Sequence, residues 1–221
     1  MADYSSGPVT LTGMILSSSP VSDSDRRVVI LTKERGKITA FAKGARRQGS
    51  RLLASTECFC FGTFKMFEGR TAYNLIEAGI THYFEDLRND YEGACLGMYF
   101  LEFADYYTRE NNDETGMLKL LFQSVRAICA KGLDNRLVKV IYEMKALVVN
   151  GEFPGIPAGK DLSDSAVYAI NFIVNTPVEK LYTFAVTDSV LSELTDVATS
   201  YRNAFTDRKF KSLDFLDTLG V

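Results

Sequence analysis

The sequence predicts an α+β, multidomain chain in which a five-stranded barrel at the N-terminus is followed by an all-helical domain. Three observations carry that expectation. Short stretches rich in Val, Ile, Phe and Thr follow one another as far as Ile80. From about Asn89 the apolar residues recur with a period near 3.6 instead of two. Basic residues are concentrated in the first part and acidic ones prevail in the second. With 221 residues, 46% hydrophobic and 24% charged, the chain can bury roughly 70% of its unfolded surface, so neither metal nor disulfide is needed to hold it together.

Five stretches read as strands: Val9 to Leu16, Arg27 to Thr32, Ile38 to Ala42, Cys58 to Phe67 and Tyr73 to Ile80. The links Ser22-Asp23-Ser24-Asp25, Glu34-Arg35-Gly36-Lys37 and Glu68-Gly69-Arg70 supply polar turn formers or a glycine free to take positive φ, and two of them read as hairpins. Ser17-Ser18-Ser19 before Pro20 marks a short loop. A longer connection, Lys43 to Glu57, separates the third and fourth strands. Five strands so spaced match the Greek-key barrel called the OB-fold, although composition alone also permits an SH3-like barrel. The expected division is a barrel over residues 1–82 and a helical domain over 83–221.

In the second part, Leu96, Tyr99, Phe100, Phe103, Tyr106 and Tyr107 make one apolar stripe, and Met117, Leu120, Leu121, Ser124, Val125 and Ile128 a second. Leu137, Val138, Ile141, Met144, Ala146, Leu147 and Val148 make a third, which Asn150-Gly151 should end. Pro154 and Pro157 then prevent continuation. Asp161 or Ser163 is placed to cap a helix from about Ser165 to Val174, and Thr187 or Asp188 another from Val190 to Phe205. From Thr206 onward the pattern is weak.

The four cysteines, Cys58, Cys60, Cys95 and Cys129, include no C-x-x-C pair, so structural zinc is not expected and a reduced, cytosolic chain is. Cys58 and Cys60 would share one face of a strand, as buried thiols. No apolar run approaches the roughly 20 residues of a membrane helix.

Charge is the most informative part of the composition. Between Arg26 and Arg51 stand nine basic residues and one acid, Glu34, a local excess of +8. The remaining 16 basic and 27 acidic residues leave −11 elsewhere, for a whole-chain charge of −3. A basic excess on a small barrel suits a polyanion, because each phosphate neutralised releases counterions; the competing reading is a merely solvated face.

Catalytic constellations fail on inspection. Gly44 and Gly49 have P-loop spacing, but Ser50-Arg51 stands where that motif needs Lys and then Ser or Thr. His82 is the single histidine and excludes a two-histidine metal site; partial burial at the domain junction explains it. Glu102 and Asp105 lie three apart on a helix, a carboxylate pair for which Arg109 offers a salt-bridge explanation. The aromatics Phe41, Phe59, Phe61, Phe64, Phe67 and Tyr73 lie on the barrel strands, mostly as core, with some free to stack on bases.

The run from Ser18 to Arg47 resembles a known family. It contains, in order, Asp23-Ser24-Asp25-Arg26-Arg27, Thr32-Lys33-Glu34-Arg35-Gly36-Lys37 and Ala42-Lys43-Gly44-Ala45-Arg46-Arg47. Further on stand Phe61-Gly62-Thr63-Phe64, Glu68-Gly69-Arg70, Tyr83-Phe84-Glu85-Asp86-Leu87-Arg88 and Tyr99-Phe100-Leu101-Glu102-Phe103. Together these are similar to the RecO family of bacterial recombination mediators, over about residues 9 to 154. The resemblance implies an OB-fold and a helical domain that make no covalent bond and need no cofactor. It implies binding of single- and double-stranded DNA, annealing of complementary strands and, with RecR, loading of RecA onto DNA coated by single-strand-binding protein, in the cytoplasm at the nucleoid. Many relatives carry a four-cysteine zinc module after the position matching Asn150-Gly151-Glu152-Phe153-Pro154, whereas here Gly155 to Ser163 has no cysteine.

Joined to the charge pattern, this makes Arg26, Arg27, Lys33, Arg35, Lys37, Lys43, Arg46, Arg47 and Arg51 the expected contacts to the sugar-phosphate backbone, with little base readout. The acidic helical domain suits protein partners. The rival is a non-catalytic adaptor whose basic barrel binds an acidic protein.

Overall fold

The computed structural model describes residues 7–157 and 161–220. The first part is a closed barrel of β1 (Val9–Pro20), β2 (Arg26–Thr32), β3 (Gly36–Ala42), β4 (Phe61–Glu68) and β5 (Tyr73–His82). The strands follow one another around it in the order β1-β2-β3-β5-β4. Every pairing is antiparallel except β3 with β5, which is parallel over Ala40–Ala42 only. This is the OB-fold. A one-turn helix, α1 (Leu52–Ser55), lies in the connection from β3 to β4.

Alternation fills the barrel. Val28 and Ile30 of β2, Ile38, Ala40 and Ala42 of β3, and Phe64 and Met66 of β4 share one core cluster. Gly13 is where β1 leaves β4 for β2: it pairs with Gly62 on one side and Thr32 on the other. A Cβ on Gly13 would stand 2.3 Å from the Leu31 carbonyl oxygen, so only glycine lets the backbones approach at that corner.

Two boundaries differ from the expectation. β1 continues through Ser17–Pro20, because these residues pair in register with Arg26–Val29 past a bulge after Ile15; the Ser-Ser-Ser-Pro run is strand, not loop. β4 starts at Phe61, not Cys58: Phe59 takes φ 69°, and its amide donates to the Ile15 carbonyl at 3.1 Å. Cys58 and Cys60 therefore lie in a turn before the strand. Cys60 is buried there, with its thiol on the Ala54 carbonyl at 3.3 Å.

The helices are α2 (Tyr91–Tyr107), α3 (Thr115–Ala130), α4 (Asn135–Val149), α5 (Asp164–Asn175), α6 (Asp188–Phe205) and α7 (Lys211–Leu219), with short 3-10 turns at Glu85–Asn89 and Val178–Lys180. Local signals set their ends. The Ser163 hydroxyl caps α5 through the Ala166 amide at 3.2 Å, and the Thr187 hydroxyl caps α6 through the Val190 amide at 3.4 Å. α4 ends at Asn150 with Gly151 at φ 72°. α7 occupies the tail whose sequence pattern is weak.

The chain forms two compact units. One comprises the barrel segment through Glu85 together with Leu101–Leu118; the other comprises Asp86–Phe100 and the chain from Lys119 onward. In the second unit α4 is buried continuously from Leu137 to Leu147, including Lys139, Glu143 and Lys145. Buried charges need partners. The Glu143 carboxylate accepts from the Tyr99 hydroxyl at 2.6 Å and from Arg202 at 2.8 Å, and the Lys145 ammonium donates to the carbonyls of Ile173, Val174 and Thr176 at the end of α5. Burial, then Glu143, pushes the Tyr99 hydroxyl well above the usual tyrosine range.

Candidate nucleic-acid interface

The nine basic residues ride on the β2–β3 ribbon and its exit. Seven residue pairs, Arg26↔Ala42 to Thr32↔Gly36, separate the two ends of that ribbon by roughly 20 Å. Arg26 and Arg27 stand at one end, near the connection that carries Lys43, Arg46, Arg47 and Arg51. Lys33, Arg35 and Lys37 stand at the other, around the hairpin tip. Inward positions of β3 are Ile38, Ala40 and Ala42, so Lys37, Thr39 and Phe41 face outward.

The first cluster is held by Asp25. Its carboxylate accepts from the Gly44 amide at 2.8 Å and the Ser24 hydroxyl at 3.1 Å. These two hydrogen bonds, led by the amide, hold its pKa below the usual aspartate value. The Arg46 amide donates to the Ser24 carbonyl at 2.9 Å, and its guanidinium to the Ser22 carbonyl at 2.7 Å. The turn before β2 is thereby stapled to the exit of β3. Gly44 takes φ 68°, and the Arg47 amide closes a turn on its carbonyl.

The second cluster is clasped by the chain after α2. The Lys37 amide donates to the Arg109 carbonyl at 3.0 Å, and the Asn111 amide to the Arg35 carbonyl at 2.9 Å. Gly36, at φ 63°, has no room for a Cβ, which would stand 2.2 Å from the Arg109 oxygen. Glu34, the segment's one acid, accepts from the Thr12 amide at 2.9 Å.

The nine side chains differ in their commitments. Arg26 pairs with Glu57 at 2.7 Å and donates to Leu53 and Thr56, and Lys37 pairs with Asp105 at 3.1 Å. Arg46 spends one donor on Ser22. Arg27, Lys33, Arg35, Lys43, Arg47 and Arg51 are exposed, and no ion pair engages them among the described residues. Arg70, only a turn residue when read from the sequence, is equally exposed on the β4–β5 loop, next to the strand that pairs with β3. Its signal is the combination of a cation with a loop that OB-folds use for ligands.

Of the aromatics, Phe64 and Tyr73 are core, while Phe41, Phe59, Phe61 and Phe67 are half-buried. Phe41 faces outward directly across from Arg27.

The residues set aside as catalytic differ in detail from the expectation. Asp105 pairs with Lys37 rather than with Arg109, whose guanidinium turns to the carbonyls of Tyr106 and Thr108. The reason is that Arg109 lies past the end of α2, while the folded ribbon brings Lys37 alongside. His82 is exposed, not partly buried, because it is the last residue of β5, where it stacks against Phe84. Among the described residues, no three His, Cys, Asp or Glu side chains gather to hold a metal. None of the four cysteines lies between Asn150 and Ser163. No helix among the described residues is long and apolar enough to cross a membrane.

Fold and site define an OB-fold protein with a cation-rich ribbon, followed by helices. Residues 7–84 match the family model for the recombination protein O N terminal domain, and residues 88–156 that for its C terminal domain. A DNA repair protein RecO from Acetivibrio thermocellus is 25% identical over 94% of this chain and 96% of its own length. One from Clostridium perfringens is 25% identical over 92% and 95%, and one from Alkaliphilus metalliredigens 30% identical over 64% and 58%. The chain belongs to the RecO family of DNA repair proteins.

Proposed function

We propose that the chain is a non-catalytic recombination mediator. It binds single- and double-stranded DNA through the barrel, anneals complementary strands and, together with RecR, loads RecA onto DNA coated by single-strand-binding protein, in the cytoplasm at the nucleoid. The observation that carries this reading is the set of exposed cations that have no ion pair among the described residues, Arg27, Lys33, Arg35, Lys43, Arg47 and Arg51, at the two ends of one ribbon. Side chains on such a path neutralise successive phosphates and leave base edges free, which annealing requires. Arg26 and Lys37, expected among the contacts, reach DNA only if they give up Glu57 and Asp105. Phe41 is the side chain best placed to stack on an unpaired base, and Arg70 adds a phosphate contact.

The test is the fluorescence-monitored annealing of two complementary oligonucleotides, bare or coated with single-strand-binding protein, across a salt titration. Four to six phosphate contacts give a slope of about −3 to −4 in log affinity against log salt for a single strand. Acceleration that fades with salt supports the proposal. A folded protein that binds an acidic partner and accelerates nothing is instead the adaptor.

A further inference from the structure

The half of β3 that β5 does not reach, Gly36 to Thr39, borders a cleft of about 280 Å³ within the barrel's own unit. Three cations line it, Arg27, Lys37 and Arg109, and two acids, Asp105 and Glu110. The Lys37 ammonium sits on the Asp105 carboxylate at 3.1 Å, and also on that residue's carbonyl. Both partners keep some contact with water, at 23% and 35% side-chain exposure. An ion pair so placed can exchange with a competing anion, because neither charge would be stranded in a dry interior.

We infer that Asp105 is a positioning residue that limits DNA affinity: its carboxylate takes on Lys37 the place of a phosphodiester oxygen and yields it only in competition. The inference rests on the reading of the β2–β3 ribbon as the DNA surface. The carboxylate is not what holds the clasp together. The main chain does that, through Lys37 to Arg109 and Asn111 to Arg35, and the Glu114 side chain adds to it by accepting from the Arg109 amide at 3.0 Å. A residue whose charge is dispensable for the clasp, yet sits on the one lysine of the outward β3 face, sets how tightly that face holds a strand. A mediator that must release what it anneals benefits from such a competitor.

The experiment measures binding of a fluorescein-labelled oligothymidylate by anisotropy across a salt titration. It compares the full chain with Asp105→Asn, Asp105→Glu, Lys37→Ala and the double variant Lys37→Ala/Asp105→Asn. Neutralising Asp105 frees one cation, so Asp105→Asn should bind about threefold to tenfold tighter near 0.1 M salt. Its salt slope should be more negative by about 0.7, one phosphate's worth. Asp105→Glu should return to the wild-type slope. In the Lys37→Ala background the same neutralisation should leave the slope where it was. If Asp105→Asn does not fold, Asp105→Ser, neutral and shorter, takes its place. A tightening without a change of slope, or the same change of slope without Lys37, would overturn the inference. If the wild-type chain itself does not bind the strand, the proposed function falls together with it; if wild type binds and Asp105→Asn is no tighter, only the inference falls.

Discussion

The two units treat charge in opposite ways. In the barrel, cations stand outside at the ends of a ribbon, and among the described residues most have no ion pair. In the helical unit Glu143 and Lys145 are drawn into α4, the most buried helix, and each is fully engaged: Glu143 by Tyr99 and Arg202, Lys145 by three carbonyls at the end of α5. Charged residues are therefore consumed by the fold in one unit and left exposed in the other. What separates the two cases is whether a charge has already found its hydrogen-bonding or ionic partners within the chain. Where it has, its removal should be read in stability; where it has not, in salt-dependent binding.

The largest expected effect breaks the helical side of that contrast. Glu143→Ala leaves Arg202, largely shielded from water, as an uncompensated cation and the Tyr99 hydroxyl without its acceptor, which should cost about 3 kcal/mol in urea unfolding. The DNA affinity of the folded fraction should not change. Next comes alkaline pH. Tyr99, Tyr142 and Tyr182 are all pushed above the usual value of 10.0 by burial. A raised folded pKa means that the stability is fully present below 10 and is lost as pH climbs above it, because the unfolded phenols release protons first. Each phenol then removes up to about 1.4 kcal/mol per pH unit. The part of the tyrosinate absorbance that Tyr99→Phe, Tyr142→Phe and Tyr182→Phe remove should rise together with loss of helix, in one transition. Ionisation of these three phenols while the helices persist would contradict this.

Third, Arg46→Ala/Arg47→Ala tests the barrel side. If both cations contact phosphate as proposed, removing them should make the single-strand salt slope shallower by about 1.4 and weaken binding to all sequences alike. Loss confined to certain sequences would point to base readout. Arg46 also holds Ser22, so Arg47→Ala alone separates phosphate binding from the staple: it should give about half the change in slope.

These contrasts are only partly legible in the chain. The barrel and the caps at Ser163 and Thr187 can be read because alternation and capping are local, encoded within a few residues. The strand through Ser17–Pro20 cannot, since its conformation is set by pairing with Arg26–Val29 rather than by its own poor strand propensity. The turn at Cys58–Cys60 depends in the same way on a left-handed Phe59 bonded to β1. For the site, composition locates the cations but not their commitments. Glu57 and Asp105, which take up Arg26 and Lys37, are far along the chain, and for Asp105 the nearby Arg109 is the more obvious partner.

Arg26 and Arg27 offer the finest test, since they are neighbours in one strand with opposite fates. Alternation turns them to different sides of the ribbon. Arg26 is spent on Glu57, the Leu53 carbonyl and the Thr56 hydroxyl, and so ties α1 and the chain after it to β2. Arg27 is exposed beside Phe41, with only a long 3.5 Å contact to Thr39. Arg26→Ala should therefore cost about 1–2 kcal/mol of stability. It should leave the salt slope of the folded protein unchanged. Arg27→Ala should do the reverse, shifting stability by less than about 0.5 kcal/mol while making the slope shallower by about 0.7. Thermal unfolding and salt-titrated anisotropy on the same two preparations decide the matter. If both variants change the slope equally, Arg26 leaves Glu57 when DNA arrives, and the division between structural and ligand-facing cations does not run through this strand.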